Sequence, residues 1–276
     1  MKRAAAANAL TQGDDGLPVF GDVGPWVRDD KHRVLGEYLK LHAHPRAGFD
    51  HRTYVELFCG PGRARVRSTG EFIDGSPVVA WKASQVKAPF TAMYIADSNS
   101  EARDACAKRL RKLGAPVIEV EGDALTAAAA IVPQLDPYGF HFAFVDPYNL
   151  GELRLELLST LATLKRMDQM VHLSAMDLFR NLDHNLAGDR QEFDDFAPGW
   201  QERVKPSLPR DEQRRAIVEH WKAHLDALGL YAHSEMKQVR NSVNRDLYWL
   251  LVLSRHPLAG KFWEIVLDSG PQPRLL

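Results

Sequence analysis

The sequence predicts an α/β protein with a Rossmann-like, doubly wound, mostly parallel sheet that carries an antiparallel hairpin at one edge. Apolar runs alternate with amphipathic segments five times along the chain, the pattern of parallel strands joined by crossover helices. The first run is followed by Gly60 and Gly62, which let a backbone turn tightly beside a ligand. Four successive runs have an acid at or near their carboxyl end: Glu56, Asp97, Asp123 and Asp146.

The elements can be assigned in order from their apolar spacing. A helix is predicted over residues 26–42, and Ser76 followed by Pro77 indicates a second helix start. Strands are predicted over residues 53–58, 91–96, 117–120, 140–145 and 169–175. The intervening helices are predicted over residues 76–86, 101–113, 124–131 and 153–164. A later helix, an antiparallel strand pair and a last strand or packed segment are predicted over residues 211–228, 234–239, 247–253 and 262–267.

The length of 276 residues is enough for one large core. Residues 1–25 are small, polar and glycine-bearing and are predicted to be a disordered tail. Residues 26–276 are predicted to be a single domain with an N-terminal helix. A polar stretch near residues 180–210 is interpreted as an insertion or lid.

Composition excludes several classes of function. A net charge of −1 gives no global electrostatic case for nucleic-acid binding, although a local basic patch is allowed. The two cysteines, Cys59 and Cys106, form no C-x-x-C pair, so no metal site or disulfide framework is predicted and a reducing, cytoplasmic setting is favoured. No signal peptide and no run long enough to span a bilayer is recognised, so no membrane partner is expected.

The glycine spacing argues against a dinucleotide cofactor. A dinucleotide fold requires G-x-G-x-x-G opening directly into a helix that binds pyrophosphate. Here the third glycine is absent and the next predicted helix begins only at residue 76. Glu56 would also repel a pyrophosphate, whereas it would suit a cationic ammonium group.

Residues 56–62, Glu-Leu-Phe-Cys-Gly-Pro-Gly, resemble the first motif of class I S-adenosylmethionine-dependent methyltransferases. The resemblance covers roughly residues 50–180 and implies a class I methyltransferase-like fold, S-adenosylmethionine as cofactor and methyl transfer as the activity. It implies that cofactor-binding residues lie in the glycine loop and after strands two and three: Glu56, Phe58, Gly60, Gly62, Asp97, Ser98, Asp123 and Ala124. Of these, Asp97 would bind the ribose hydroxyls and Asp123 the adenine amine.

More narrowly, the chain resembles the three-Cys-motif partner (TcmP) family. The resemblance rests on residues 54–62, 73–77, 144–147 and 248–257, and the N-terminal helix with Lys31 and Tyr38 also fits. It implies a three-Cys-motif protein, encoded nearby, as partner. An alternative hypothesis is therefore a non-catalytic or partner-dependent subunit that binds S-adenosylmethionine or nucleic acid.

The segment Asp146-Pro147-Tyr148 is predicted to orient the methyl acceptor, with Asp146 and Tyr148 as the catalytic residues. In nucleobase amino-methyltransferases, which this segment resembles, such a loop accepts hydrogen bonds from an exocyclic amine and stacks on the base. This chain has one proline there, so a nitrogen or oxygen acceptor on a small molecule fits as well as a nucleobase. Methylation at cytosine C5 is excluded because no cysteine lies in this loop.

Overall fold

The structure is a computed structural model that describes residues 10–205, 207–232, 236–240 and 246–269. The strands in chain order are β1 (Leu10–Gln12), β2 (Pro18–Val23), β3 (Arg52–Glu56), β4 (Arg63–Val66), β5 (Phe72–Asp74), β6 (Ala92–Ala96), β7 (Val117–Val120), β8 (Phe140–Val145), β9 (Met167–Leu173), β10 (Tyr231–Ala232), β11 (Lys237–Arg240) and β12 (Asp246–Ser254). The α-helices are α1 (Arg33–Leu41), α2 (Ala43–Arg46), α3 (Ser76–Ser84), α4 (Ser100–Lys112), α5 (Ala124–Ile131), α6 (Leu155–Ala162), α7 (Ala175–Leu186), α8 (Glu192–Phe196), α9 (Arg210–Ala227) and α10 (Pro257–Asp268). A π-helical segment, Val27–His32, runs directly into α1.

The main sheet has eight strands in the order β10-β12-β9-β8-β3-β6-β7, and β11 also pairs with β12. Five neighbouring strands of this sheet are mutually parallel, in the order β9, β8, β3, β6 and β7. Strand β12 runs antiparallel to its neighbours β9, β10 and β11. The predicted fold class, with its antiparallel edge pair, is confirmed. Residues 241–245, which lie between the two predicted strands, and residues 234–235 of the first predicted strand lie outside the described residues.

Helices cover both faces of the sheet, because each central strand contributes apolar side chains to both sides. Tyr54 and Phe142 belong to one core cluster, whereas Val55 and Ala143 belong to the cluster on the opposite face. All six residues of β8 are buried. This burial explains why the sequence there is apolar at every position except His141 rather than alternating.

The N-terminal region differs from the prediction. Strands β1 and β2 pair antiparallel, and β2 continues into a second, four-stranded sheet with the order β1-β2-β4-β5. The predicted disorder over residues 1–25 is therefore wrong for residues 10–23, and residues 1–9 lie outside the described residues. Residues 59–75, for which the sequence predicted neither a strand nor a helix, supply β4 and β5. The N-terminal segment therefore acquires its hydrogen-bonding partners from a distant part of the chain.

Two further segments pack differently from the predictions. The polar stretch over residues 180–210 contains α8 and places Phe193, Phe196 and Trp200 fully in the core. That stretch therefore supports the domain rather than forming an open lid. Residues 262–267 are packed, with Trp263 fully buried, but they belong to helix α10 and not to a strand. Among the described helices, none combines the length and the apolar character needed to cross a bilayer.

Arg109 in α4 attaches the N-terminal hairpin to the main domain. Its guanidinium donates to both carboxylate oxygens of Asp15, each at 2.7 Å, and to the carbonyl oxygens of Pro18 at 2.7 Å and Pro61 at 2.5 Å. The Arg109 side chain is only 7% exposed. The bond from Arg109 holds the pKa of Asp15 at about 2, against its ordinary value of 3.8. Bidentate pairing of this kind is among the stronger side-chain interactions.

We expect Arg109→Met to lower the free energy of unfolding by about 2 kcal/mol, because it removes charge-assisted bonds and leaves buried carbonyl groups without a donor. The control is Arg111→Met two residues along the same helix. Arg111 pairs with Glu119 but is 51% exposed, so its loss should cost less than about 1 kcal/mol. Urea unfolding of both variants measures the difference, and equal costs would contradict the role given to Arg109.

Candidate functional site

A cavity of about 560 Å³ opens where the parallel strands β3, β6, β7 and β8 end. In a doubly wound sheet this is the edge at which ligands bind. The volume lies within the range of about 300–1,000 Å³ typical of small-molecule sites. Seven of the ten predicted site residues line the cavity: Phe58, Asp97, Ser98, Asp123, Ala124, Asp146 and Tyr148. The other three, Glu56, Gly60 and Gly62, lie outside the lining.

The two glycines shape the loop after β3. Both have positive φ angles, 54° for Gly60 and 75° for Gly62, which disfavour other residues. The Gly60 amide donates to Asp97 Oδ2 at 2.9 Å. A Cβ at Gly62 would lie 3.1 Å from Cys106 Sγ in α4. The structure therefore gives these glycines a role in docking the loop against its neighbours.

Glu56 is fully buried. Its Oε1 accepts a hydrogen bond from Ser76 Oγ at 2.5 Å, and its Oε2 accepts one from Tyr54 Oη at 2.5 Å. The Ser76 hydroxyl thus bonds to this carboxyl group, and Gly75 is the N-cap residue of α3, which begins at Ser76. Burial raises the pKa of Glu56 from 4.5 to about 8, although the bonds from Ser76 and Tyr54 act in the opposite direction. Below pH 8 its side chain is therefore mainly a neutral acid.

Asp97 and Asp123 lie on the same side of the cavity but in different environments. Asp97 accepts backbone N–H bonds from Gly60 and from Asn99, the latter at 2.8 Å on Oδ1. Burial raises the pKa of Asp97, while those backbone bonds oppose the rise. Asp123 is exposed and caps α5 by accepting from the Thr126 amide at 2.8 Å, which lowers its pKa. Each carboxylate retains acceptor capacity beyond these bonds.

Asp146 forms a largely buried ion pair with Lys31. Lys31 Nζ lies 2.5 Å from Asp146 Oδ2, and the two side chains are 14% and 15% exposed. The other oxygen, Oδ1, lies 3.4 Å from His172 Nδ1. Burial alone would raise the pKa of Asp146, but the Lys31 charge reverses that effect and the pKa is lowered. Burial lowers the pKa of His172 to about 4, so at neutral pH a carboxylate faces an ammonium and a neutral imidazole.

Sequence reasoning missed the residues that surround Asp146 from distant elements: Trp26, Lys31, His172 and Tyr248. The His172 and Tyr248 rings lie 4.3 Å apart between centroids. Tyr248 Oη and His172 Nδ1 are buried and have no hydrogen-bond partner within the described parts of the chain. Lys31 and Tyr248 lie in segments on which the TcmP resemblance rests, and that resemblance was the only sequence signal that could have indicated them. His172 is a single histidine inside strand β9, and no sequence pattern indicates a functional role for it.

Trp26 reaches the cavity wall through close packing on the backbone. A Cβ at Gly24 would lie 2.2–2.4 Å from three atoms of the indole ring, so only glycine is compatible with this ring position. Val23, at the end of β2, also lines the cavity. The N-terminal segment therefore forms part of the site.

No protein-family model and no curated protein matches the chain. Among solved structures, the protein is similar to LPL1258 from Legionella pneumophila, of the DUF519 family, with a TM-score of 0.58, 12% identity and coverage of 90% of this chain and 92% of that one. An O-methyltransferase from Bacillus cereus in complex with SAH gives a TM-score of 0.47, 14% identity and coverage of 92% and 87%. A putative methyltransferase, yhhF, from Escherichia coli gives a TM-score of 0.45, 15% identity and coverage of 87% of this chain and 92% of that one. At 12% identity, the similarity to LPL1258 concerns the fold alone.

The raised pKa of Glu56 predicts a pH-dependent difference between the unliganded wild type and Glu56→Gln. The folded-state pKa of about 8 exceeds the ordinary 4.5, so the contribution of Glu56 to stability is complete below pH 4.5 and is lost as the pH rises through 8. Relative to Glu56→Gln, the wild type should lose up to about 1.4 kcal/mol of unfolding free energy per pH unit in that window. Urea unfolding between pH 5 and 9 measures the slope.

The exposed Glu101 provides the control, because Glu101→Gln should leave the slope of the wild type unchanged. Parallel profiles for the wild type and Glu56→Gln would show that Glu56 is ionised throughout this range and would refute the assignment.

The ion pair predicts strong coupling between Lys31 and Asp146. Lys31→Met should cost about 3 kcal/mol of unfolding free energy near pH 7, because it leaves a buried carboxylate without its cation. The double variant Lys31→Met/Asp146→Asn should be more stable than Lys31→Met alone. A double-mutant cycle by urea unfolding measures the coupling. The control is the exposed pair Lys108–Asp104, which is 2.6 Å apart with side chains 55% and 53% exposed. Its coupling energy should be less than about 0.5 kcal/mol. Equal coupling energies in the two pairs would contradict the prediction.

Proposed function

We propose that this protein is an S-adenosylmethionine-dependent methyltransferase that transfers a methyl group to a nitrogen or oxygen acceptor. The observation that carries the proposal is the cavity at the strand ends, because its wall brings together Asp97, Asp123 and Asp146 from successive β-α units. A cofactor that carries positive charge and several hydroxyl groups is suited to a site lined by carboxylates. The similarity to solved structures supports the fold that such an enzyme requires.

The residues on the β6 and β7 side of the cavity fit the nucleoside part of the cofactor. Asp97 would accept bonds from ribose hydroxyls with the acceptor capacity left by its two backbone amides. Phe58 and Ala124 offer apolar surface, and Asp123 offers a carboxylate at the rim. Bound there, the cofactor supplies an electrophilic methyl group on a sulfonium.

Glu56 contributes to this site indirectly. Because it is buried and bonded to Ser76 and Tyr54, it positions the start of the glycine loop and not the ligand itself. Gly60, expected to bind the cofactor, would instead position the loop through its amide bond to Asp97. We assign Gly62 the packing role against Cys106.

The residues around Asp146 would receive the acceptor. Lys31 occupies Asp146 Oδ2, so Oδ1 is the oxygen that can accept an N–H or O–H bond from the acceptor and take its proton. Tyr148, 54% exposed at the cavity, offers a ring for stacking. Tyr248 Oη and His172 Nδ1 lack a hydrogen-bond partner in the described chain, so they can form hydrogen bonds with further polar groups of the methyl acceptor. Most of the rate acceleration would come from in-line positioning. A nucleobase amine and a small-molecule nitrogen or oxygen both fit this arrangement.

We also propose membership of the three-Cys-motif partner family and a cytoplasmic location. One observation favours the family: Lys31 and Tyr248, from two separate segments that carry the resemblance, meet at the same cavity. Under this second proposal the chain acts with a three-Cys-motif protein, either as a partner-dependent enzyme or as a non-catalytic subunit that binds S-adenosylmethionine or nucleic acid.

Calorimetric titration with S-adenosylmethionine and its demethylated product tests the leading proposal. We expect saturable binding, weakened at least about 10-fold by Asp97→Asn, because a buried hydrogen bond to a charged group is worth roughly 1.5–3 kcal/mol. Asp104→Asn is the matched control, since Asp104 pairs on the surface with Lys108 in α4.

Equal affinity of Asp97→Asn and the wild type would refute the ribose assignment. Absence of binding by the folded protein alone, with binding restored by a three-Cys-motif protein, would favour the partner-dependent alternative. Absence of binding under both conditions would refute the methyltransferase proposal.

A further inference from the structure

Two histidines converge on the surface of α9, away from the cavity. His220 and His224 are four residues apart, so they project from the same helix face. Their Nε2 atoms lie 3.2 Å apart, and their ring centroids are separated by 4.6 Å. Both side chains are partly exposed. Neither belongs to the proposed catalytic machinery.

A third donor atom completes a triangle with these two nitrogens. The carbonyl oxygen of Pro198 lies 2.7 Å from His220 Nε2 and 2.9 Å from His224 Nε2. Gly199 follows with a positive φ of 78°, and this turn directs the carbonyl towards α9.

Hydrogen bonds alone leave one contact of the triangle unexplained. If both imidazoles donate their Nε2 protons to the Pro198 oxygen, they share that one acceptor and the two N–H groups are crowded together at 3.2 Å. If only one imidazole donates, the Nε2 atom of the other carries a lone pair that points at the lone pairs of the carbonyl oxygen, and the two repel each other. A cation removes the conflict because all three atoms can direct lone pairs towards it.

The three spacings match those of ligands on one metal ion. With metal–ligand distances of about 2.1 Å, adjacent ligands lie about 3.0 Å apart in octahedral and about 3.4 Å apart in tetrahedral coordination. The observed edges of 2.7, 2.9 and 3.2 Å lie close to the octahedral value. Two imidazoles select Zn²⁺, Ni²⁺ or Cu²⁺ over Mg²⁺ and Ca²⁺, which prefer all-oxygen sets.

We propose that His220 Nε2, His224 Nε2 and the Pro198 carbonyl oxygen form a binding site for one divalent transition-metal ion. Water molecules complete the coordination. Within the described residues, no group of three or more His, Cys, Asp or Glu side chains is arranged to hold a metal, so the third protein ligand here is the backbone oxygen. Such a site is weaker than a structural zinc centre with four side-chain ligands.

The ion would fasten the turn at residues 198–199 to α9. Phe196, just before that turn, stacks on Trp221 with ring centroids 5.1 Å apart. The same segment includes Glu192, whose Cγ would be 3.0 Å from a Cβ at Gly151 in the cavity wall. Metal binding therefore stabilises the segment that backs one wall of the cavity.

The test uses full-length protein without a polyhistidine tag, freed of metal by a chelator. Titration with ZnCl₂ and NiCl₂ is followed by calorimetry and by thermal unfolding. We expect one ion per chain and a rise in Tm on the order of 5 °C at about 100-fold excess over Kd. MgCl₂ should leave the Tm unchanged. The rise should disappear in His220→Gln and in His224→Gln but persist in His44→Gln, a surface histidine in α2.

Electron paramagnetic resonance of the wild type with one equivalent of Cu²⁺ provides a readout that needs no variant. Hyperfine coupling to two nitrogens supports the site. No ordered nitrogen coordination, no Tm response to any of the three metals, or binding that is undiminished in both single-histidine variants overturns the proposal.

Discussion

The ion pair between Lys31 and Asp146 fixes the position of the N-terminal helical segment relative to the sheet. Both charges are removed from water, which is costly unless each compensates the other, so the helical segment that carries Lys31 is held over the carboxyl end of β8. Trp26 and Val27 precede Lys31 in the chain and become part of the cavity wall as a result. The same pair decides the charge of Asp146 at neutral pH, because burial without Lys31 would raise its pKa. The shape and the electrostatics of the site therefore depend on one contact between segments 115 residues apart.

Acids at equivalent strand ends acquire different chemistry from their surroundings. Glu56 is buried with two hydroxyl donors, and burial raises its pKa to about 8. Asp146 is also buried, but its ammonium partner lowers its pKa. Asp123 is exposed and caps a helix. The recurring acids predicted where the cavity lies, whereas their individual environments follow from contacts that only the folded chain supplies.

The sequence predicted the elements whose signals are local. Strands such as β8 are largely apolar runs, and helix-forming segments with recognisable starts or periodicity lie between them. The parallel sheet and the edge at which the cavity lies could therefore be inferred. Strands β1 and β2 could not, because a short polar hairpin gains its stability from β4 and from Arg109. His172 and Tyr248 meet because β12 inserts antiparallel beside β9, with Leu250 opposite His172. That register depends on strand order, which no local pattern encodes.

The stretch over residues 180–210 shows why polarity alone is a poor guide to mobility. Its acids and prolines favoured an open insertion, yet Phe193, Phe196 and Trp200 are fully buried there. Three large aromatic side chains can anchor a segment whose remaining residues are polar, because each buries on the order of 150–250 Å². The segment then packs behind Gly151, and so the cavity is enclosed by parts of the chain on both sides of the central strands. A ligand in this cavity would contact the N-terminal segment, the strand ends and a wall backed by residues 192–200. Stabilisation of any one of these parts should therefore also stabilise the others.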